Sequence, residues 1–170
     1  MTDLQQWISL WLAEMSPVGE IAVVAQILLA VQSRIQSLNL TGVVNTSVVV
    51  RKIATDRDVP RPAICISELR QQWPTDRGTN SRDDGTYQVV VAMYDADNQD
   101  PTYNVNLGQW QLWRQQIRRA FINQSLPVAT VYRVLVEPGE SYDLTAWKNQ
   151  YFAAAIILNC FSREPRGVGV

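Results

Sequence analysis

The run Tyr87-Gln88-Val89-Val90-Val91-Ala92-Met93-Tyr94 is apolar nearly throughout and rich in valine. β-Branched residues crowd a helix and fit a pleated surface, so Thr86–Tyr94 reads as a strand. Polar alternation is almost missing from it, which is the pattern of a central strand covered on both faces. A chain holding such a strand must supply partner strands beside it and layers over it.

Four other segments qualify as partners. Val43–Ile53 is rich in β-branched residues, and Ala63–Leu69 alternates Ile64, Ile66 and Glu68 with Cys65 and Ser67. Val131–Glu137 sets Val131, Arg133 and Leu135 against Tyr132, Val134 and Val136. Asn149–Ser162 carries the apolar core Tyr151–Leu158. Two longer segments have helical spacing. Ile21, Val24, Ala25, Leu28, Val31, Ile35 and Leu38 recur at threes and fours across Val18–Leu38, with Ser16 as N-cap and Pro17 at the first helical position. Leu107, Trp110, Trp113, Ile117 and Phe121 do the same across Tyr103–Phe121. Leu4, Trp7, Ile8 and Trp11 suggest a shorter helix within residues 1–16.

The order helix, three strands, helix, two strands predicts an α+β domain spanning residues 1–170. Its antiparallel or mixed sheet of about five strands carries the two main helices on one face. Residues 70–86 hold Trp73-Pro74-Thr75-Asp76-Arg77-Gly78 and are polar and turn-rich. They predict projecting loops or an extended hairpin arm. A polar tail is expected over residues 163–170.

The chain has no histidine, which removes histidine-based triads and the commonest zinc ligand sets. Its two cysteines, Cys65 and Cys160, sit in apolar strand-like runs and read as buried free thiols in a reducing compartment. Fifteen basic and sixteen acidic residues leave a formal charge of −1, which argues against a dedicated nucleic-acid binder. No basic leader opens the sequence and the apolar stretch Ile21–Val31 is short, so a soluble chain without a membrane partner is expected.

The acidic turn Asp95–Asp100 lacks the glycine and glutamate of a calcium loop: Asp100 and Asn106 occupy those positions. Glu137, Glu140 and Asp143 flank a turn, where acidic residues are common, though a carboxylate pair among them could serve acid–base chemistry. Gly42, Gly78 and Gly85 are isolated and form no phosphate loop. No cofactor, metal or catalytic residue is expected.

Thirteen of the fifteen cations are arginine, and the chain has six tryptophans. Arginine and tryptophan dominate interface hot spots, whereas lysine is depleted there. Arg114 and Arg118 lie one turn apart on the second helix, off its apolar stripe, with Arg119 beside them. Arg57, Arg61, Arg77 and Arg82 lie among aspartates in the loop and arm. Trp73 stands alone in polar sequence, as a plug folded back or a contact for a partner. With Arg163 and Arg166 of the tail, these residues form the candidate subunit interface.

The chain resembles the tail-terminator and tail-completion (neck) proteins of tailed bacteriophages. The likeness rests on three features. An N-terminal amphipathic helix leads into strands. Gly85–Asp95 is followed by a helix bearing Trp and Arg. The ending is Tyr151-Phe152-Ala153-Ala154-Ala155-Ile156-Ile157-Leu158-Asn159-Cys160-Phe161-Ser162-Arg163-Glu164-Pro165. The resemblance implies a homo-oligomeric ring, usually a hexamer, that caps the tail tube and meets the neck or connector. Genome DNA would pass through its lumen without sequence-specific binding, and the protein would reside in the virion after synthesis in the host cytoplasm. It implies no catalytic residue. A head-completion connector, a tube-type ring subunit, a carboxylate-dependent enzyme and a monomeric adaptor are the alternatives.

Overall fold

A computed structural model describes residues 22–74, 78–79, 82–97, 105–141 and 143–165. The elements are α1 (Val23–Ser37), a 3₁₀ turn (Asn45–Ser47), β1 (Val48–Val50), β2 (Ala63–Gln72), β3 (Gly78–Thr79) and β4 (Arg82–Ala96). They continue with α2 (Val105–Phe121), β5 (Val131–Pro138), α3 (Leu144–Lys148) and β6 (Tyr151–Pro165). The strands form one mixed sheet in the order β1-β2-β4-β6-β5, with β3 paired to the far end of β4. The expected α+β architecture is the observed one, and Thr86–Tyr94 lies inside its central strand.

The register explains the core. Met93 sits between Ile64 and Ala154, Val91 between Ile66 and Ile156, and Val89 faces Leu158. These side chains share one face and are buried under the two long helices. Helix α2 contributes Trp110, Trp113, Ile117 and Phe121, the stripe its spacing predicts. The Trp110 ring stacks on Phe152 at 4.2 Å, and its Nε1 donates to Asp95 Oδ2 at 2.7 Å. Trp113 Nε1 donates to the Thr41 carbonyl at 2.9 Å. Both indoles therefore bury their rings and still satisfy their polar edge.

Several boundaries differ from the sequence expectation. Helix α1 starts at Val23, since Ala22 is extended, and it buries Ile27, Val31 and Ile35. Val31 and Ile35 of the expected stripe are buried, but Val24, Leu28 and Leu38 are only partly buried, and Ile27, outside that stripe, is fully buried. The expected caps Ser16 and Pro17 and the short N-terminal helix lie outside the described residues. Val43–Ile53 supplies only a three-residue strand, and it runs parallel to β2. The loop of residues 51–62 carries the chain back to the end where β1 began, so β2 must start beside β1. The faces of β5 are reassigned by a bulge between Val131 and Arg133. One extra residue resets the alternation, so Val131 and Val134 are both buried while Tyr132 and Arg133 are exposed. Strand β6 runs through Pro165, into the segment expected as tail.

Among the described residues, no long helix lies over the second face of the sheet. Ala63, Cys65, Ser67, Ala92 and Ala153 are buried there, while Val90, Tyr94 and Ile157 are half-buried. The loop after β1 covers one end: Cys65 Sγ donates to the Thr55 carbonyl at 3.0 Å and Tyr94 OH to the Ala54 carbonyl at 2.8 Å. Among the described residues, the central strand is thus covered by helices on one side and at one end by a loop on the other.

Candidate assembly interface

The interface candidates fall into three places. Two lie at opposite ends of the long strands β2 and β4. At the loop end, the Arg61 guanidinium pairs with Asp56 and lies over the Tyr151 ring at 4.6 Å. Arg57 is almost fully exposed, 3.8 Å from Asp58. Arg61 is thus held by its own chain, whereas Arg57 projects.

At the other end, β2 and β4 run out as the expected hairpin arm, Gln72 facing Thr86 and Thr79 facing Arg82. β6 flanks the arm, pairing Gly85 with Ser162 and Arg82 with Pro165. Trp73 folds back on this arm. An added Cβ at Gly85 would lie 2.5 Å from the Trp73 ring, so the indole rests directly on the glycine backbone. Its ring also meets Tyr87 edge-on at 5.6 Å, yet 39% of the residue stays exposed. Trp73 is therefore a plug with one open side.

Arg163 clamps the base of the arm. Its Nε and Nη2 donate to the two oxygens of Asp84 at 2.6 and 2.9 Å, and its guanidinium lies over Tyr132 at 5.6 Å. The forked hydrogen bond holds the Asp84 carboxyl below its usual pKa. On the other face, Tyr87 OH donates to Glu164 Oε1 at 2.8 Å. Burial, then that carboxylate, push the Tyr87 phenol well above its usual range. Arg82 is exposed. Arg77 and Arg166 lie outside the described residues.

The third place is a groove of about 790 Å³ between α2 and β5, which is an edge strand of the sheet. Leu112, Ile122, Val136, Pro138 and Ile156 give it an apolar lining, and Arg114, Arg118 and Glu137 line it with charge. Leu112 and Ile122 are each 43% exposed. Burial lowers the Arg114 pKa. Among the described residues, the side chains of Arg114, Arg118 and Arg119 make no ion pair or hydrogen bond. The arginines here were legible from the sequence, but the groove was not. Its one signal is Leu112, an apolar residue off the buried stripe.

The acidic candidates have ordinary structural uses. Asp95 accepts from Trp110, and Asp143 Oδ1 accepts from the backbone N–H groups of Thr145 and Ala146 at 2.7 and 3.2 Å, capping α3. Glu137 and Glu140 are exposed. Among the described residues no group of three or more acidic or cysteine side chains could hold a metal ion. Both cysteines are buried and free, and burial pushes Cys65 up to about 11 and Cys160 up to about 12. No described helix is long and apolar enough to cross a membrane.

No protein-family model and no curated protein matches the chain. Among solved structures, the fold is similar to that of a chain in the virion of a native gene transfer agent particle. The two share 10% sequence identity at a TM-score of 0.56, over 85% of this chain and 100% of that one. This α+β sheet-and-helix fold is thus also found in a chain of an assembled virion.

Proposed function

We propose that the protein is a structural component of a phage-like particle, forming a homo-oligomeric ring that closes the end of the tail tube and joins it to the neck or connector. The observation that carries this reading is the fold shared with a gene transfer agent virion chain over that chain's whole length. The distribution of the candidate residues supports it. Closed rings need heterologous contacts, in which two different patches of one subunit meet. The loop with Arg57 and Arg61 and the arm with Trp73 and Arg82 lie at opposite ends of β2 and β4, and Arg114, Arg118 and Arg119 mark a third patch. Arg163 belongs with the arm, through Asp84. Mixed-sign charge in loop and arm would set the register between neighbours.

The mechanism is geometric. Ring closure buries the patches, and the outer ring face offers no template for another layer of tube. A near-neutral chain suits a lumen that passes DNA without gripping phosphates. Particles made without this protein should show overlong tails, or separate heads and tails, in electron micrographs. Tails of normal length joined to heads would overturn the reading.

A further inference from the structure

We propose that the base of the arm in one copy docks into the α2–β5 groove of the next, with Leu69 and Trp73 against Leu112 and Ile122, and Glu68 and Glu164 against Arg114 and Arg118. The inference rests on the ring reading, since it names the two patches that meet there. Three observations carry it.

The first is an acidic and apolar patch on the arm. The register of β2 shifts between Glu68 and Arg70, which sets Leu69 in a bulge, 53% exposed. Trp73 keeps one side open beside Tyr87. After burial, Glu164 and then Glu68 raise the pKa of the Tyr87 phenol, so both carboxylates act on the ring that Trp73 touches.

The second is charge. Arg114 and Arg118 lie one helical turn apart in the groove, and their side chains have no ionic or hydrogen-bonding partner among the described residues. Arg114 is partly buried, so its charge has lost water without gaining a counter-ion. Asp56, Asp58 and Asp84 pair with arginines of their own chain. Glu68 accepts from Gln71 Nε2 at 2.6 Å, and Glu164 from Tyr87 and Ser162. These donors are uncharged, so both carboxylates keep their charge for a partner.

The third is placement. The pairing of β1 with β2 stops at Ile66, so Glu68 and Leu69 lie on one edge of the sheet, and β5 forms the other. Three strand spacings, about 14 Å, separate the two edges. The arm is tied into β4 and β6 and cannot cross to its own groove. Copies joined from edge to edge add in one direction, as a closed ring requires. A rival acidic patch, Glu140 and Asp143 with the exposed Leu144, pairs along β6 on the groove's own edge. Through it two copies would meet about a twofold axis and stop at a dimer.

Two variants of the full-length protein test the contact by sedimentation velocity. The arm variant carries Glu68→Lys and Leu69→Lys, and the groove variant carries Leu112→Arg and Ile122→Arg. All four positions are exposed, so the fold should survive. Each variant alone should self-associate at least about thirtyfold more weakly than the unaltered protein. Mixed, they should form one-to-one dimers and nothing larger. The intact arm of one then meets the intact groove of the other, and the reverse contact is lost. Rings that persist in either variant, or a mixture that stays monomeric while the unaltered protein forms rings, overturn the proposal and leave the ring reading standing. Dimers that persist in the arm variant and vanish in the groove variant also overturn it, assigning the groove to a twofold partner. Mixed dimers beside unaltered protein that grows into open chains would support the contact and overturn the ring. Monomers throughout would overturn both.

Discussion

At Gly85 a single missing Cβ decides how the arm packs. The Trp73 ring occupies the space a side chain would need, so Gly85→Ala must push the indole outward. This should cost about 1–3 kcal/mol, as overpacking does. Because Trp73 is partly exposed, Trp73→Ala should relieve most of the clash. Chemical denaturation of both single variants and the double variant should therefore show non-additive losses, and strictly additive losses would contradict the contact. The Asp84–Arg163 pair makes a pH prediction. The folded-state carboxyl pKa is depressed, so the pair's contribution is present above the ordinary value of 3.8 and is lost as pH falls through the lower folded value. Arg163→Ala should flatten acid unfolding in that range while leaving the profile near neutrality parallel to that of the unaltered protein. Trp73 was conspicuous in the sequence, since nothing around it is apolar. Its resting place was hidden, because Gly85 lies twelve positions away and only the hairpin register brings them together.

At the scale of elements, the helices and long strands could be read because their periodicity runs over many residues. Helix α2 buries Trp110, Trp113, Ile117 and Phe121 of the stripe its spacing names and leaves Leu107 partly buried, and Thr86–Tyr94 lies within β4. What failed was local and geometric. A one-residue bulge in β5 changes which side chains are buried without altering composition. The five-residue α3 is too short for periodicity to reveal, and the sequence showed its cap, Asp143, only as one of three acidic residues around a turn. That cap gives a direct prediction. Asp143→Ala removes the acceptor for two N–H groups and should lower stability by about 1 kcal/mol. Asp143→Asn or Asp143→Ser should retain most of it, as followed by thermal unfolding. Equal losses in all three variants would mean that the carboxylate acts otherwise than as a cap.

For the molecule as a whole, the α+β class follows from the order of elements, and the sheet order does not. Placing β4 at the centre requires β6, the last strand, to pair with it along its whole length. Placing β1 parallel at the edge requires the loop of residues 51–62 to reverse direction. Such non-local pairing leaves no mark on neighbouring residues. The groove was hidden for the same reason, since α2 and β5 meet there only in the folded chain. The interface candidates have divided roles in the fold. Arg61 and Arg163 are partly engaged by their own chain, while Arg57, Arg82, Arg118 and Arg119 project outward. On the ring account, the projecting group carries the larger share of subunit contact.

Electron microscopy of the purified full-length protein mixed with isolated tail tubes tests whether it works by shape and self-association. The account predicts closed rings of uniform copy number, one seated at a tube end, on tubes that no longer elongate. Monomers at every protein concentration, leaving tube ends bare and growing, would contradict it.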